Sequence, residues 1–290
     1  MSNLIINPYF FSSEASEFQN AYSVLKGSGT GSENYIALTD SNSSGIEFDS
    51  DDAWSFSIWV KPGWSSTLNA AVYLFSMSEQ GANGINDDTI RMWYAHNNNR
   101  INVQWRTAGT QRRHNFWLFH STQSQYVNAY NAAGLGTTYW SSSNKGNRNS
   151  DDYVLITWVK GASNSAAVSN MNLYWNQNSC NNGFYVNGNH HGTPSMSATD
   201  KQIALGSTSW DYSNSNANGT KFDNFSIWNK KLTTAEVGEI WNSGTAGDLN
   251  NHSAASNLKG YWRFENNGNS GLTDGGEAFS IAGTSQYVTI

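Results

Sequence analysis

The side chains best suited to chemistry in this chain are aromatic rings, amides and carboxylates set among small polar residues. Trp210, Asp211, Tyr212 and Asn214 lie close together in one such stretch, and Trp140 sits in an earlier stretch of the same character. Indole and phenol rings stack on the apolar face of a pyranose, while amides and carboxylates take its hydroxyls. These residues are therefore the candidates for carbohydrate contact. The competing expectation is that aromatics in loops plug an end of the fold or meet another subunit. Arg100, Arg106, Arg112 and Arg113 form the one local concentration of positive charge. It reads as a solvated rim or as a patch that docks on an acidic neighbour, since arginine and aromatic residues are enriched at interfaces. Arg112, Arg113 and Trp117, with Tyr9, Phe10 and Phe11 near the amino terminus, are the candidates for partner contact.

Other reactive groups carry bland readings. Cys180 is the single cysteine, so it closes no disulfide within the chain and has no partner for a zinc site. His190-His191 follow an Asn-Gly turn and read as exposed. Gly27-Ser28-Gly29-Thr30-Gly31 makes neither a nucleophile elbow nor a complete dinucleotide fingerprint, and reads as a flexible hairpin.

The composition sets the frame for these groups. The chain has 290 residues, 13 Trp, 14 Tyr and 13 Phe, and only 13% charged residues, about half the usual share of a soluble domain. Asn and Ser together exceed a quarter of the residues. Aromatic abundance excludes disorder despite the low charge. Few Lys and Glu and 3 Pro argue against a coiled coil, a helical bundle or a linker. A formal net charge of −6 supplies no global positive field, so nucleic acid is not an expected partner. No apolar run approaches the roughly 20 residues of a membrane span, so no membrane role is expected.

The elements that must position the candidates are short β-rich runs separated by Gly, Asn and Ser, the pattern of an all-β sandwich of antiparallel sheets. Ser55 to Lys61 alternates and stops at Pro62-Gly63. Arg91 to Tyr94 and Arg100 to Trp105 flank Asn97-Asn98-Asn99 as a hairpin. Tyr153 to Gly161, Met171 to Trp175 and Phe184 to Asn187 are further strands. Phe56-Ser57-Ile58-Trp59, Ile156-Thr157-Trp158 and Phe225-Ser226-Ile227-Trp228 rhyme. A second echo links Tyr22-Ser23-Val24 and Tyr35-Ile36 with Phe279-Ser280-Ile281 and Tyr287-Val288. These rhymes predict equivalent strands of one sandwich. One helix is expected near 233–243, opened by the capping box Thr233-Thr234-Ala235-Glu236, with Val237, Ile240 and Trp241 on one face and Gly244 at its left-handed end. Residues 1–20 read as an arm and 21–290 as a single domain with long loops at 107–150 and 207–221. Loops of that length are functional or pack on a partner.

Phe56-Ser57-Ile58-Trp59-Val60-Lys61-Pro62, Phe184-Tyr185-Val186-Asn187-Gly188 and Phe222-Asp223-Asn224-Phe225-Ser226-Ile227-Trp228-Asn229-Lys230-Lys231-Leu232 with its helix, in that order, resemble the laminin-G-like branch of the concanavalin A-like lectin/glucanase superfamily. Gly260-Tyr261-Trp262-Arg263-Phe264-Glu265 is similar to a further strand of that branch. It often opens such a domain but lies near the carboxyl end here. The resemblance implies a jelly-roll β-sandwich whose strand order is permuted or whose final strand pairs beside the first. It also implies a calcium ion at the rim, for which Asp223 matches the family position and Asp40 or Asp49 could assist. A hard cation needs six to eight oxygens, and Asp223 can equally cap a turn. The superfamily includes glucanases, and Glu47-Phe48-Asp49-Ser50-Asp51-Asp52 is the string closest to their catalytic strand. It lacks the second Glu that a pair of acting carboxylates requires and reads as a solvated acidic turn, so no catalytic residue is expected.

The lectin-like fold, the Met1 start with neither a basic start nor an apolar leader, the lone cysteine and the uncharged polar composition together suggest a non-enzymatic structural protein of a bacteriophage virion. It would be a capsid decoration or tail component assembled in the host cytoplasm as a homo-oligomer among other virion proteins, and able to bind cell-surface polysaccharide. The rival expectation is the carbohydrate-binding module of a secreted, extracellular protein. A glucanase-type hydrolase comes third.

Overall fold

Trp54–Lys61 (β3) alternates large apolar residues with Ser55, Ser57 and Trp59, yet all but its last residue are buried. A strand buried on both faces needs a cover on each side, and the fold supplies two. The computed structural model describes residues 22–26, 36–39, 52–61, 63, 71–79, 89–95, 100–107, 110–117, 153–162, 170–179, 184–187, 201–208, 217–264, 279–281 and 286–289. Among them, two eight-stranded antiparallel sheets face each other.

The first sheet joins β3 to Tyr22–Leu25 (β1), Val154–Lys160 (β8), Met171–Trp175 (β9), Asn178–Ser179 (β10), Lys221–Trp228 (β13), Leu258–Trp262 (β14) and Gln286–Thr289 (β16). Their order is β10-β9-β8-β3-β13-β1-β16, with β14 also on β13. The second runs from Phe184–Asn187 (β11) through Thr110–Trp117 (β7), Arg100–Thr107 (β6), Thr89–Ala95 (β5), Ala71–Glu79 (β4), Lys201–Leu205 (β12) and Ile36–Thr39 (β2) to Phe279–Ile281 (β15). A jelly-roll-like β-sandwich is therefore the fold: the sandwich that the sequence pattern predicts, in the form that the resemblance implies.

The rhyming segments explain themselves in this topology. β8, β3 and β13 carry the three related strings and lie side by side. The four echoed segments also pair, but crosswise to the echo: β1 on β16 through Val24 and Tyr287, and β2 on β15 through Ile36 and Ile281. The final strand thus does pair beside the first. One expectation is corrected. Thr110–Trp117 lies inside the segment read as a loop from 107, and it is a strand paired along its length with β6.

Rings from both sheets fill the interior. Trp54 meets Trp158 edge-on at 4.4 Å between centroids, and Phe75 of the second sheet lies 4.9 Å from Phe56 and 5.3 Å from Phe225. Gly63 makes a close crossing possible, because a Cβ there would lie 1.9 Å from the Gly219 carbonyl oxygen.

The far face of the first sheet is sealed by the helix Thr234–Trp241 (α1) and the turns that follow. Val237, Ile240, Ala246, Leu249 and Ala254 pack there with Trp59, Leu155, Tyr174, Trp228 and Tyr261. The capping box is made: Thr233 Oγ1 accepts from the Glu236 amide and Glu236 Oε2 accepts from the Thr233 amide at 2.8 Å. The left-handed exit begins earlier than expected, with Asn242 at φ +40° and Ser243 at +58° before Gly244 at +95°. Asparagine tolerates that region better than most residues.

Candidate binding face

Among the described residues no helix lies on the outer side of the second sheet, yet Ser76, Thr89, Arg91, Trp93, Asn102 and Gln104 there are all buried. Its strands alternate apart from an irregularity between Tyr73 and Phe75. In β5, Ile90, Met92 and Tyr94 enter the core, so Thr89, Arg91 and Trp93 occupy the other face. Directly opposed residues share a face, and the register therefore writes this surface in rows. One row runs Tyr73, Trp93, Asn102, Asn115 and Tyr185 across β4, β5, β6, β7 and β11. The next runs Ala204, Ser76, Arg91, Gln104, Arg113 and Asn187, beginning on β12. These positions are aromatic, amide, hydroxyl and guanidinium groups, punctuated by alanine.

Arg91 is the fixed point. Its Nε donates to Gln104 Oε1 at 2.6 Å and its Nη1 to the Tyr73 hydroxyl at 3.0 Å. The guanidinium carbon lies 5.8 Å from the Tyr73 ring centroid and 5.1 Å from that of Trp93, within cation–π range. The two rings stand 6.2 Å apart and tilted by 35°. Two hydrogen bonds and two ring faces thus hold one cation in one orientation.

Asn102 stands out beside it. The residue is 1% exposed, yet neither its amide nitrogen nor its amide oxygen has a hydrogen-bond partner. The Thr89 hydroxyl, on the same face and also 1% exposed, is unpartnered too. A buried amide left unpaired costs about 1–3 kcal/mol. Here donor and acceptor lie next to the indole of Trp93, its cross-strand neighbour. A flat ring and an unpaired amide thus lie side by side, both buried.

The residues singled out from the sequence are distributed differently. Trp140, Trp210, Asp211, Tyr212 and Asn214 lie outside the described residues, as do Asp40, Asp49, Glu47, Asp51, Cys180, His190, His191, Tyr9, Phe10 and Phe11. Arg112 and Arg113 are consecutive in β7 and take opposite registers, Arg112 beside Trp105 and Arg113 beside Gln104, while Trp117 pairs Arg100. By register Arg100, Arg106 and Arg113 take one phase of the sheet and Arg112 the other. Asp52 precedes β3, where its backbone carbonyl accepts from Lys160 Nζ at 2.9 Å.

Asp223 sits at an irregularity of β13, 2% exposed, and its Oδ1 accepts from the Asn224 amide at 2.8 Å. Asn224 has φ +43°, and its Oδ1 accepts from the buried Tyr261 hydroxyl at 2.7 Å. This is the turn-capping role. Among the described residues no three His, Cys, Asp or Glu come together to hold a metal. Sequence reasoning missed Tyr73, Trp93, Asn102 and Gln104 as a group. Their signal was the polar phase of alternating strands.

No protein-family model and no curated protein matches the chain. Solved structures do resemble it in chain path. A candidate carbohydrate-binding protein from Bacteroides ovatus is 8% identical, covering 94% of this chain and 61% of its own, with a TM-score of 0.48. The binding domain of Paraclostridial Mosquitocidal Protein 1 is 16% identical over 77% of this chain and 47% of that one, with a TM-score of 0.44. The CBM40 module of the Ruminococcus gnavus IT-sialidase is 13% identical over 68% and 92%, with a TM-score of 0.38. This chain spans less than half of the mosquitocidal structure.

Proposed function

We propose that this chain is a non-catalytic recognition module that holds a carbohydrate on the outer face of its second sheet, over Tyr73, Trp93 and Asn102. The observation that carries the reading is the buried, wholly unpartnered Asn102 amide beside a cross-strand indole. Trp93 and Asn102 are 7% and 1% exposed, so a sugar would have to displace what covers them; its hydroxyls would then meet that amide, one accepting from its nitrogen and one donating to its oxygen. The unmet hydrogen bonds of the free protein would then be made in the complex, which is where binding free energy arises.

Retention of the protein on a panel of immobilised polysaccharides tests this. Trp93→Ala should abolish retention on whichever glycan binds, and Trp241→Ala, on the helix, should leave it intact. If no glycan retains the protein, the reading fails. Should Trp210→Ala abolish binding and Trp93→Ala not, the site lies in the segment 207–221 that the sequence favoured.

The low charge and the Asn- and Ser-rich composition support a second element of the proposal, that the module is displayed on a bacteriophage particle. None of the neighbours named above is a virion protein by name, and the glycan-binding reading does not depend on it. Mass spectrometry of purified particles should find the chain in stoichiometric amounts, and its absence there would refute that placement.

A further inference from the structure

Residues 229–257 hang from the first sheet as a closed loop. Trp228 opposes Leu258 in the register of β13 with β14. Just beyond, the Asn229 amide donates to the Asn257 carbonyl at 2.9 Å and Asn257 Nδ2 donates to Asn229 Oδ1 at 3.0 Å. No ladder pairing of either described sheet runs through the residues between, so the loop can leave the sheet with every ladder intact. Leu232, Val237, Ile240, Ala246, Leu249 and Ala254 pack it in place. Ser55 Oγ donates to the Lys230 carbonyl at 2.6 Å and accepts from the Leu232 amide at 3.0 Å, and the Tyr174 hydroxyl pairs with Thr234 Oγ1 at 2.9 Å. The helix α1 has eight residues, short of the roughly 12–15 that a helix needs to stand alone in water. Its helical fold and its attachment are therefore one equilibrium.

We infer that residues 229–257 are a strap that opens as one unit about its pinned ends, uncovers Trp59, Leu155, Val159, Tyr174 and Trp228, and is loosened by acid. Side chains of the strap itself tie its two halves together. Glu239 accepts from the Ser253 amide at 3.0 Å and from its hydroxyl at 2.9 Å. Those two bonds, with His252 beside them, hold the Glu239 carboxyl below its ordinary value of 4.5. For Glu236, partial burial acts the other way, but hydrogen bonds from Lys230 and Thr233 outweigh it. A carboxylate depressed in the fold contributes stability above its unfolded pKa and loses it as the pH falls through the folded value. Both anchors thus hold at pH 7 and fail together below 4.5. His252 Nδ1 accepts from the Ala254 amide at 2.9 Å, and Nε2 lies 2.9 Å from the Glu236 carbonyl oxygen and 3.5 Å from Glu239 Oε2. A proton on Nδ1 would break the first bond and strengthen the attraction to Glu239, so this ring works both ways and the carboxylates carry the response. Around them stand Tyr153, Tyr174, Lys231, Asp248, Lys259 and Tyr261.

Hydrogen–deuterium exchange of the full chain, read by mass spectrometry, tests this. Peptides from 229–257 should exchange together, through an opening more frequent than the one that exposes β3 and β8. Corrected for intrinsic rates, their protection should fall about tenfold relative to those strands between pH 7 and pH 3, the equivalent of one net hydrogen bond. Glu239→Ala removes both bonds to Ser253. At pH 7 it should lower protection across the whole strap about tenfold, leave β3 and β8 unchanged, and flatten the response to acid. Exchange of the strap only in step with β3 and β8 overturns the separate opening. An effect of Glu239→Ala confined to the residues around Ser253 shows that the strap does not open as a unit. Protection that is the same at pH 7 and pH 3 removes the acid response.

Discussion

Two buried polar residues in this molecule predict opposite responses to mutation. Ser226 is fully buried, its Oγ paired with Ser57 Oγ and accepting from the Trp228 indole nitrogen at 2.8 Å. Ser226→Ala strands two buried groups, and should cost about 1–3 kcal/mol per unmet group in urea denaturation. Asn102 is the reverse case, since its amide is already unpaired. Asn102→Leu removes that penalty at nearly constant volume and should stabilise the fold by about 1 kcal/mol, while glycan retention falls. A variant more stable and less able to bind is what a recognition residue gives, because function is kept there at the expense of stability. If Asn102→Leu destabilises, the amide has a structural partner and the site assignment weakens. The sequence announced none of this: Asn102 is one asparagine among many, and only its register opposite Trp93 distinguishes it.

The helix is the element whose design was most legible, and its cap can be tested directly. Thr233→Ala should cost about 1 kcal/mol. For Glu236, partial burial alone would raise the carboxyl pKa, but hydrogen bonds from Lys230 and from the Thr233 amide and hydroxyl outweigh it and leave the group below its ordinary value of 4.5. A carboxylate whose folded pKa is depressed contributes stability above its unfolded pKa and loses it as pH falls through the folded value. Thermal melts of wild type and Glu236→Gln should therefore differ at pH 7 and converge as the pH falls below 4.5. Strand β7 was illegible for the converse reason. Thr110-Gln111-Arg112-Arg113-His114-Asn115-Phe116-Trp117 has polar residues in both phases, so no period-2 contrast marks it, and pairing with β6 and β11 on either side makes it a strand. The row of Tyr73, Trp93 and Asn102 does not stand out in the sequence, because function usually lies in loops while these residues sit in regular strands as the unremarkable half of an alternation.

At the scale of the whole molecule, the pairing of β1 with β16 and of β2 with β15 ties the two ends of the described chain into both sheets. The smallest unit that can fold must then span Tyr22 to Thr289, whatever lies beyond. Deleting residues 286–289 removes the edge strand β16 and leaves the backbone of β1 as the edge in its place, where it can pair with another chain. The shortened protein should lose its cooperative melt and aggregate, read by near-ultraviolet circular dichroism and light scattering; a sharp, reversible melt would show the closure to be dispensable. The order of synthesis gives this closure a further meaning. Tyr22 leaves the ribosome on the order of ten seconds or more before Thr289 is made, at about 5–20 residues per second. During that interval the tryptophan-rich strands between them exist without their last neighbours, so the nascent chain must be sheltered or must tolerate a long, sticky adolescence. A slow stretch of translation near the end of the message would be harmful here, and rapid completion an advantage.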